Sequence, residues 1–288
     1  MLRKGDLTQG GITGTLLHFT LPMMVGSFLQ QCYNIADTLI VGQCIGAGAL
    51  AAVGSAYTLM VFLISVLLGL AMGSGTVFSL HYGAGNHVAL RRSIFSSFVL
   101  IGIVTLILNV AVFIWLDPIL RLLQVPQDIY GMMRSYLWII FCGIVFTFIY
   151  NFYASLLRAV GDSVTPLWFL AVSVVLNIAL DLFFILQLDW GIQGAAAATV
   201  LAQGVAALGI IIYTYRRRPE LRWHHEDMCF DRTCLKEIAS FSTLTCVQQS
   251  VMNLGILMVQ GLVNSFGTAV MAAFAAAVKI DSFAYMPV

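Results

Sequence analysis

Long apolar stretches recur along this chain, separated by short polar segments. A bilayer-spanning helix needs about 20 mostly apolar residues. Stretches of that kind fall near 16–41, 52–80, 94–116, 135–157, 166–187, 193–215 and 238–264, and an eighth begins near 269. Helices are expected, because lipid cannot satisfy the backbone of an open strand. The short alternating segments of an outer-membrane barrel are missing from the sequence. The pattern predicts an all-α integral membrane protein. Residues 1–222 read as a six-helix N-terminal lobe, and 223–288 as a polar linker followed by the first helices of a second lobe.

Composition agrees. The chain is 60% hydrophobic and 9% charged, where a soluble domain carries about 25% charged residues. That excludes a soluble globular protein. A net charge of +1 gives no case for nucleic acid. Met1 to Gly14 lacks the apolar core and cleavage site of a secretory signal peptide, so the first span is expected to act as an uncleaved insertion signal. Lys and Arg sort by loop. Arg3, Lys4, Arg91, Arg92, Arg158, Arg216, Arg217, Arg218, Arg222, Arg232 and Lys236 fall on one side, and only Arg121 and Arg134 on the other. The positive-inside rule then puts the N-terminus in the cytoplasm of a multi-pass protein, most simply in a bacterial cytoplasmic membrane.

Cysteines add little. Cys32, Cys142 and Cys246 fall within spans, where cysteine packs as a small apolar residue. Cys229 and Cys234 lack CxxC spacing, and with His224 and His225 they read as a solvated loop. No HExxH or GxSxG motif is present, so no enzyme is expected.

The informative positions are acids inside apolar stretches. Asp37 lies in the first span and Asp181 in the fifth. An ionisable group in hydrocarbon costs at least ~2.5–3.5 kcal/mol, so a partner, cavity or ion must offset it. Both spans run outward, and both acids sit about one turn below the outer boundary. Thr199, near the start of the inward sixth span, shares that depth. Asn177 is one helical turn before Asp181, on the same face. Tyr33 and Asn34 flank Asp37. Two carboxylates, an amide and a hydroxyl suit a hard cation such as Na⁺, or protons shared between the acids. The plainer alternative is that each acid only hydrogen-bonds a neighbouring helix.

Other features are weaker. Pro22 in the first span is either a simple bend or a point where the helix changes shape with the charge on Asp37. His18, His81 and His87 lie at or near span ends, where a solvated histidine is expected. Lys279 and Asp281 share the last span without sharing a face. Gly42-x3-Gly46, Gly69-x3-Gly73 and the run Gly191, Gly194, Ala195–Ala198 have the spacing of close helix packing. Phe19–Ala52 can be laid on Phe241–Ala273, with Gly46 on Gly267 and Leu50-Ala51-Ala52 on Met271-Ala272-Ala273. A six-helix repeat of this kind keeps both copies in one orientation, as in parallel-repeat transporters.

Taken in order, Leu21-Pro22, Gln30, Tyr33, Asp37, Gly42 and Leu50-Ala51-Ala52 resemble the opening of the MATE family, the multidrug and toxic compound extrusion transporters. So do Leu157-Arg158-Ala159-x-Gly161-Asp162-x3-Pro166 and Gly191-x2-Gly194-Ala195. The resemblance implies two six-helix lobes around a central cleft. It implies antiport of amphipathic or cationic compounds against Na⁺ or H⁺, with no other cofactor, by a protein that is monomeric when full length. The coupling positions it implies are Asp37, Asn177, Asp181 and Thr199, with Ala195 offering its carbonyl; these would also ligate Na⁺. Pro22, Gln30, Tyr33, Asn34, Gln248 and Asn253 are the expected cleft and gating positions. The seventh span has no acid, which shifts the expected coupling to the first lobe. Members have about twelve spans, so this chain is expected to be the N-terminal portion of one. The alternatives are a lipid-linked oligosaccharide flippase of the same architecture and an inert structural fragment. The lack of Lys or Arg inside the first six spans argues against the flippase; Arg158, at a cytoplasmic end, is the nearest exception.

Overall fold

The computed structural model describes residues 12–223 and 232–284. The first residues of the chain, His224, His225 and Cys229 lie outside that set. So do the side chains of His18, Cys234, Lys279 and Asp281. Helices α1 (Ile12–Cys44), α2 (Ala47–Gly83) and α3 (His87–Leu122) are followed by α4 (Gln127–Cys142) and α5 (Ile144–Ala159). Then come α6 (Val164–Leu182), continued by a π-helical turn over Phe183–Gln187, α7 (Gly191–Arg217), α8 (Arg232–Asn264) and α9 (Thr268–Ala284). No strand occurs among the described residues.

Each predicted span finds its helix. The fourth is made of two pieces, α4 and α5, bent by 50° at Gly143. A Cβ at Gly143 would lie 2.5 Å from a Val200 methyl, so the glycine lets α7 press into the elbow. Among the described residues five helices are long and apolar enough to cross a membrane, and the bent pair makes a sixth. Helix α1 is as long as these but falls outside that set. Its second half carries Gln30, Gln31, Asn34 and Asp37, residues that line a cavity and do not face lipid. The outward faces of α3 and α6 are apolar, with Leu106, Ile107, Trp168 and Val175 exposed. That suits hydrocarbon, where the surroundings are as apolar as the side chains.

Turn chemistry explains the corners. Asn86 caps α3 by accepting from Ala89 N at 3.1 Å. Between α5 and α6, Gly161 takes φ 86°, and Asp162 N donates back to Leu157 O at 2.9 Å. Asp162 then accepts from Thr165 N at 3.0 Å. The motif at 157–166 is therefore a helix-stop and helix-start pair, with glycine at the position that favours it. Gly46 (φ 117°) and Gly267 (φ 90°) occupy matching turns, α1–α2 and α8–α9. Each accepts at its carbonyl from the residue four on, Leu50 N or Met271 N, at 3.1 Å. The weak sequence repeat thus has a geometric counterpart. The Gly42–Gly46 spacing is corrected: Gly46 has open space around it, so it serves the turn and not a helix interface.

The tightest interface is between α2 and α8. A Cβ at Gly69 would sit 2.5 Å from the Cys246 Cα, and one at Gly73 would sit 2.4 Å from the Ser242 Cα. Only glycine allows backbones this close. Further along, Ser55 donates to Asn264 Oδ1 at 2.9 Å and Thr58 donates to Gln260 Oε1 at 3.2 Å. Gln260 Nε2 donates to Ser55 and to Asn264 Oδ1, both at 2.8 Å, and Asn264 Nδ2 donates to the Leu123 carbonyl at 2.8 Å. The apolar core fills the space behind α2, between α3, α4, α5 and α7.

Candidate coupling site and cleft

Helices α1, α6 and α7 converge near the end of the bundle that carries the α1–α2 turn. Asp37 (8% exposed) comes from α1, Asn177 (1%) and Asp181 (0%) from α6, and Thr199 (8%) from α7. The predicted set is therefore brought together. One helical turn separates Asn177 from Asp181, so α6 presents both to the same corner. The π-helical turn begins just after them, a widening often found beside functional sites. Close contact of α6 with α7 is set by Gly194, whose added Cβ would meet Phe184 Cβ at 3.0 Å.

Hydrogen bonds knit the corner. Tyr33 Oη lies 3.4 Å from Thr199 Oγ1. Thr199 Oγ1 donates to the Ala195 carbonyl at 3.0 Å, so both offered oxygens of α7 sit side by side. With its amide nitrogen toward α6, Asn177 donates to Asp181 Oδ2 at 2.9 Å and accepts from Thr199 N at 3.1 Å. The opposite orientation gives only Nδ2 to Thr199 Oγ1 at 3.3 Å. It also faces two acceptors at each other, so the first is preferred. Asp181 lies within hydrogen-bonding reach of Asp37. Yet Asp181 Oδ1, fully buried, meets no N–H or O–H donor among the described residues. Two such carboxylates repel, and a cation or proton between them relieves the repulsion. Among the described residues no group of three His, Cys, Asp or Glu side chains gathers. The oxygens on offer are two carboxyls, an amide, a hydroxyl and a carbonyl, a set suited to a hard cation or to protons.

The corner opens on a cavity of about 1780 Å³. Pro22, Gln30, Tyr33 and Asn34 line it, together with Asp37, Asn177 and Thr199 of the corner. Asp181 stands behind Asn177, out of the lining. Pro22 sits within an α1 that continues as helix on both sides of it. Two expected positions are corrected. Gln248 is exposed and Asn253 is buried, donating to the Gln249 carbonyl at 2.8 Å; neither lines the cavity. The α8 residues that do are Met252, Gly255, Ile256 and Val259. Unforeseen lining residues include Tyr136, close enough to Asp37 and Asp181 to interact with their charge. Thr147 of α5, hydrogen-bonded to Gln203 of α7, is another. Their signal was faint: polar residues in the fourth and sixth spans on faces that only the bend at Gly143 defines.

The helical bundle thus encloses a large cleft with a buried acid pair at its head. The MatE family model matches residues 22–183. The chain is 32% identical over 293 residues to the probable multidrug resistance protein YpnP of Bacillus subtilis, covering 99% of this chain and 64% of that protein. It is 29% identical to YoeA of the same organism, also a probable multidrug resistance protein, covering 93% and 60%. The chain spans about three fifths of the length of these curated relatives. An outward-facing structure of a multidrug resistance MATE family transporter of the MOP superfamily superposes with a TM-score of 0.88 at 24% identity, over 100% of this chain and 64% of that one, which shows the fold. The chain belongs to the MatE family and is a multi-pass membrane protein.

Proposed function

We propose that this chain is the portion of a cation-coupled exporter that holds the coupling site. Asp37 and Asp181 bind the incoming Na⁺ or H⁺, with Asn177, Thr199 and the Ala195 carbonyl completing the oxygen set. An amphipathic, cationic compound occupies the apolar cleft beneath. The N-terminus is cytoplasmic, and the site faces the outside of the cell membrane. The observation that carries this reading is the meeting of two buried carboxyls at the head of a large cavity. Neutralising that pair with an ion removes its repulsion and also its attraction for a cationic compound, which favours that compound leaving; re-ionisation restores the attraction. A permissive apolar lining with few polar groups suits many compounds.

The test is transport by the purified chain in liposomes, with ethidium as substrate and an imposed Na⁺ or pH gradient. Gradient-driven dye movement that vanishes in Asp37→Asn, with unchanged protein yield, is expected. Equal movement in wild type and Asp37→Asn would sink the assignment.

A further inference from the structure

Among the described residues the cavity is lined by two charged side chains: Asp37 at its head and Arg158 at the far end. Arg158 stands in the last turn of α5, beside the α5–α6 turn. Its Nε donates to the Ala154 carbonyl at 3.0 Å. It has no carboxylate partner among the described residues. The nearest acid in sequence is committed elsewhere: Asp162 accepts from Thr165 Oγ1 at 2.9 Å and pairs with Arg218 at 3.3 Å. Glu237 pairs with His81 at 3.3 Å. A partly buried guanidinium has five N–H donors in a planar fork, and here one is used.

The α5–α6 turn that follows Arg158 adds a second polar side chain to the lining, and the cavity also has an apolar wall. Ser163, buried and lining the cavity, stands at the start of α6 without a side-chain cap hydrogen bond. Phe19, Pro22 and Met23 of α1 and Met72 of α2 are apolar residues of the same cavity. An arginine without an acid, a hydroxyl and an apolar wall match a ligand with an anionic oxygen head and a hydrocarbon tail. The guanidinium fork fits a carboxylate or phosphate with two parallel hydrogen bonds.

We propose that Arg158, with Ser163, forms a binding site for the anionic headgroup of a membrane amphiphile at the end of the cleft opposite Asp37. This site stands whether or not Asp37 and Asp181 couple transport, because its residues belong to neither.

The probe is dodecyl phosphate, titrated into the purified detergent-solubilised chain and followed by calorimetry. Dodecanol and dodecyltrimethylammonium serve as head-neutral and head-reversed controls. Saturable binding of dodecyl phosphate alone is expected, weakened about tenfold or more in Arg158→Gln and by less in Arg158→Lys, which keeps the charge but loses the fork. If Arg158→Gln fails to fold, Ser163→Val must weaken the same titration by several-fold. Inorganic phosphate at equal concentration distinguishes the source: no competition assigns the site to amphiphiles, and full competition assigns it to free phosphate and overturns the lipid part. Equal binding of the three dodecyl probes, or titrations unaltered in Arg158→Gln and Ser163→Val, overturns the site. Asp37→Asn leaves this titration unchanged, so failure here is separable from failure of the coupling reading.

Discussion

Two regions bury polar side chains in the membrane, and they do so differently. Along the α2–α8 seam, Ser55, Thr58, Gln260 and Asn264 donate and accept among themselves, and Asn264 closes the set on Leu123 O. None of them is charged. At the α1–α6–α7 corner, two acids face each other, and Asp181 Oδ1 meets no donor. A satisfied neutral network fixes helices in place. A charged, incompletely satisfied one holds free energy that a ligand can release. The contrast separates what holds the bundle from what we propose to respond to an ion.

Substitutions can break that contrast in order of size. The largest effect is expected from Asp37→Asn and Asp181→Asn, which should bring gradient-driven dye transport down to the level of empty liposomes. Thermal unfolding in detergent should hold or rise in both, because each removes a repelling charge. A fall in stability matching the fall in transport would erase the distinction between the regions. Next comes Gly73→Leu at the seam. Its side chain would collide with the Ser242 backbone, and overpacking of this kind costs about 1–3 kcal/mol or more. Loss of folded protein in size-exclusion chromatography is the expected readout. Asn264→Ala should be milder, at about 1–2 kcal/mol, the upper range for hydrogen bonds between membrane helices. It should lower the melting temperature without altering ion binding. The smallest effect is expected for Gln248→Leu, exposed on α8 and outside both networks. It should change stability by no more than about 0.5 kcal/mol and leave dye transport unchanged.

The corner was legible in the sequence because two rules combine there. Apolar length fixes depth, and the helical period puts Asn177 and Asp181 on one face. No knowledge of the bundle is needed for either. Gln248 and Asn253 were misplaced because depth does not fix rotation: α8 turns Met252, Gly255 and Val259 to the cavity and those two elsewhere. Gly46 was misread because a turn glycine can fall at packing spacing by chance. The bend at Gly143 left no proline to announce it, so Thr147 could not be aimed at Gln203 from sequence. Arg158 was visible but looked like an ordinary span-end cation, because its missing partner depends on Asp162 choosing Arg218.

The matched glycine turns allow one more deduction, about symmetry. Counted back nine residues from Gly46, the chain has Asp37; counted back nine from Gly267, it has Met258. The two joints share a fold but not a charge. The protein has one architectural plan used twice and one ionisable version of it. Copying the acid into the second joint as Met258→Asp would restore that lost equivalence on paper, and would place a carboxylate on a position exposed among the described residues. Within the described residues, the first joint has α6 and α7 beside it, and Asn177 and Thr199 on those helices are what make a charge at Asp37 bearable.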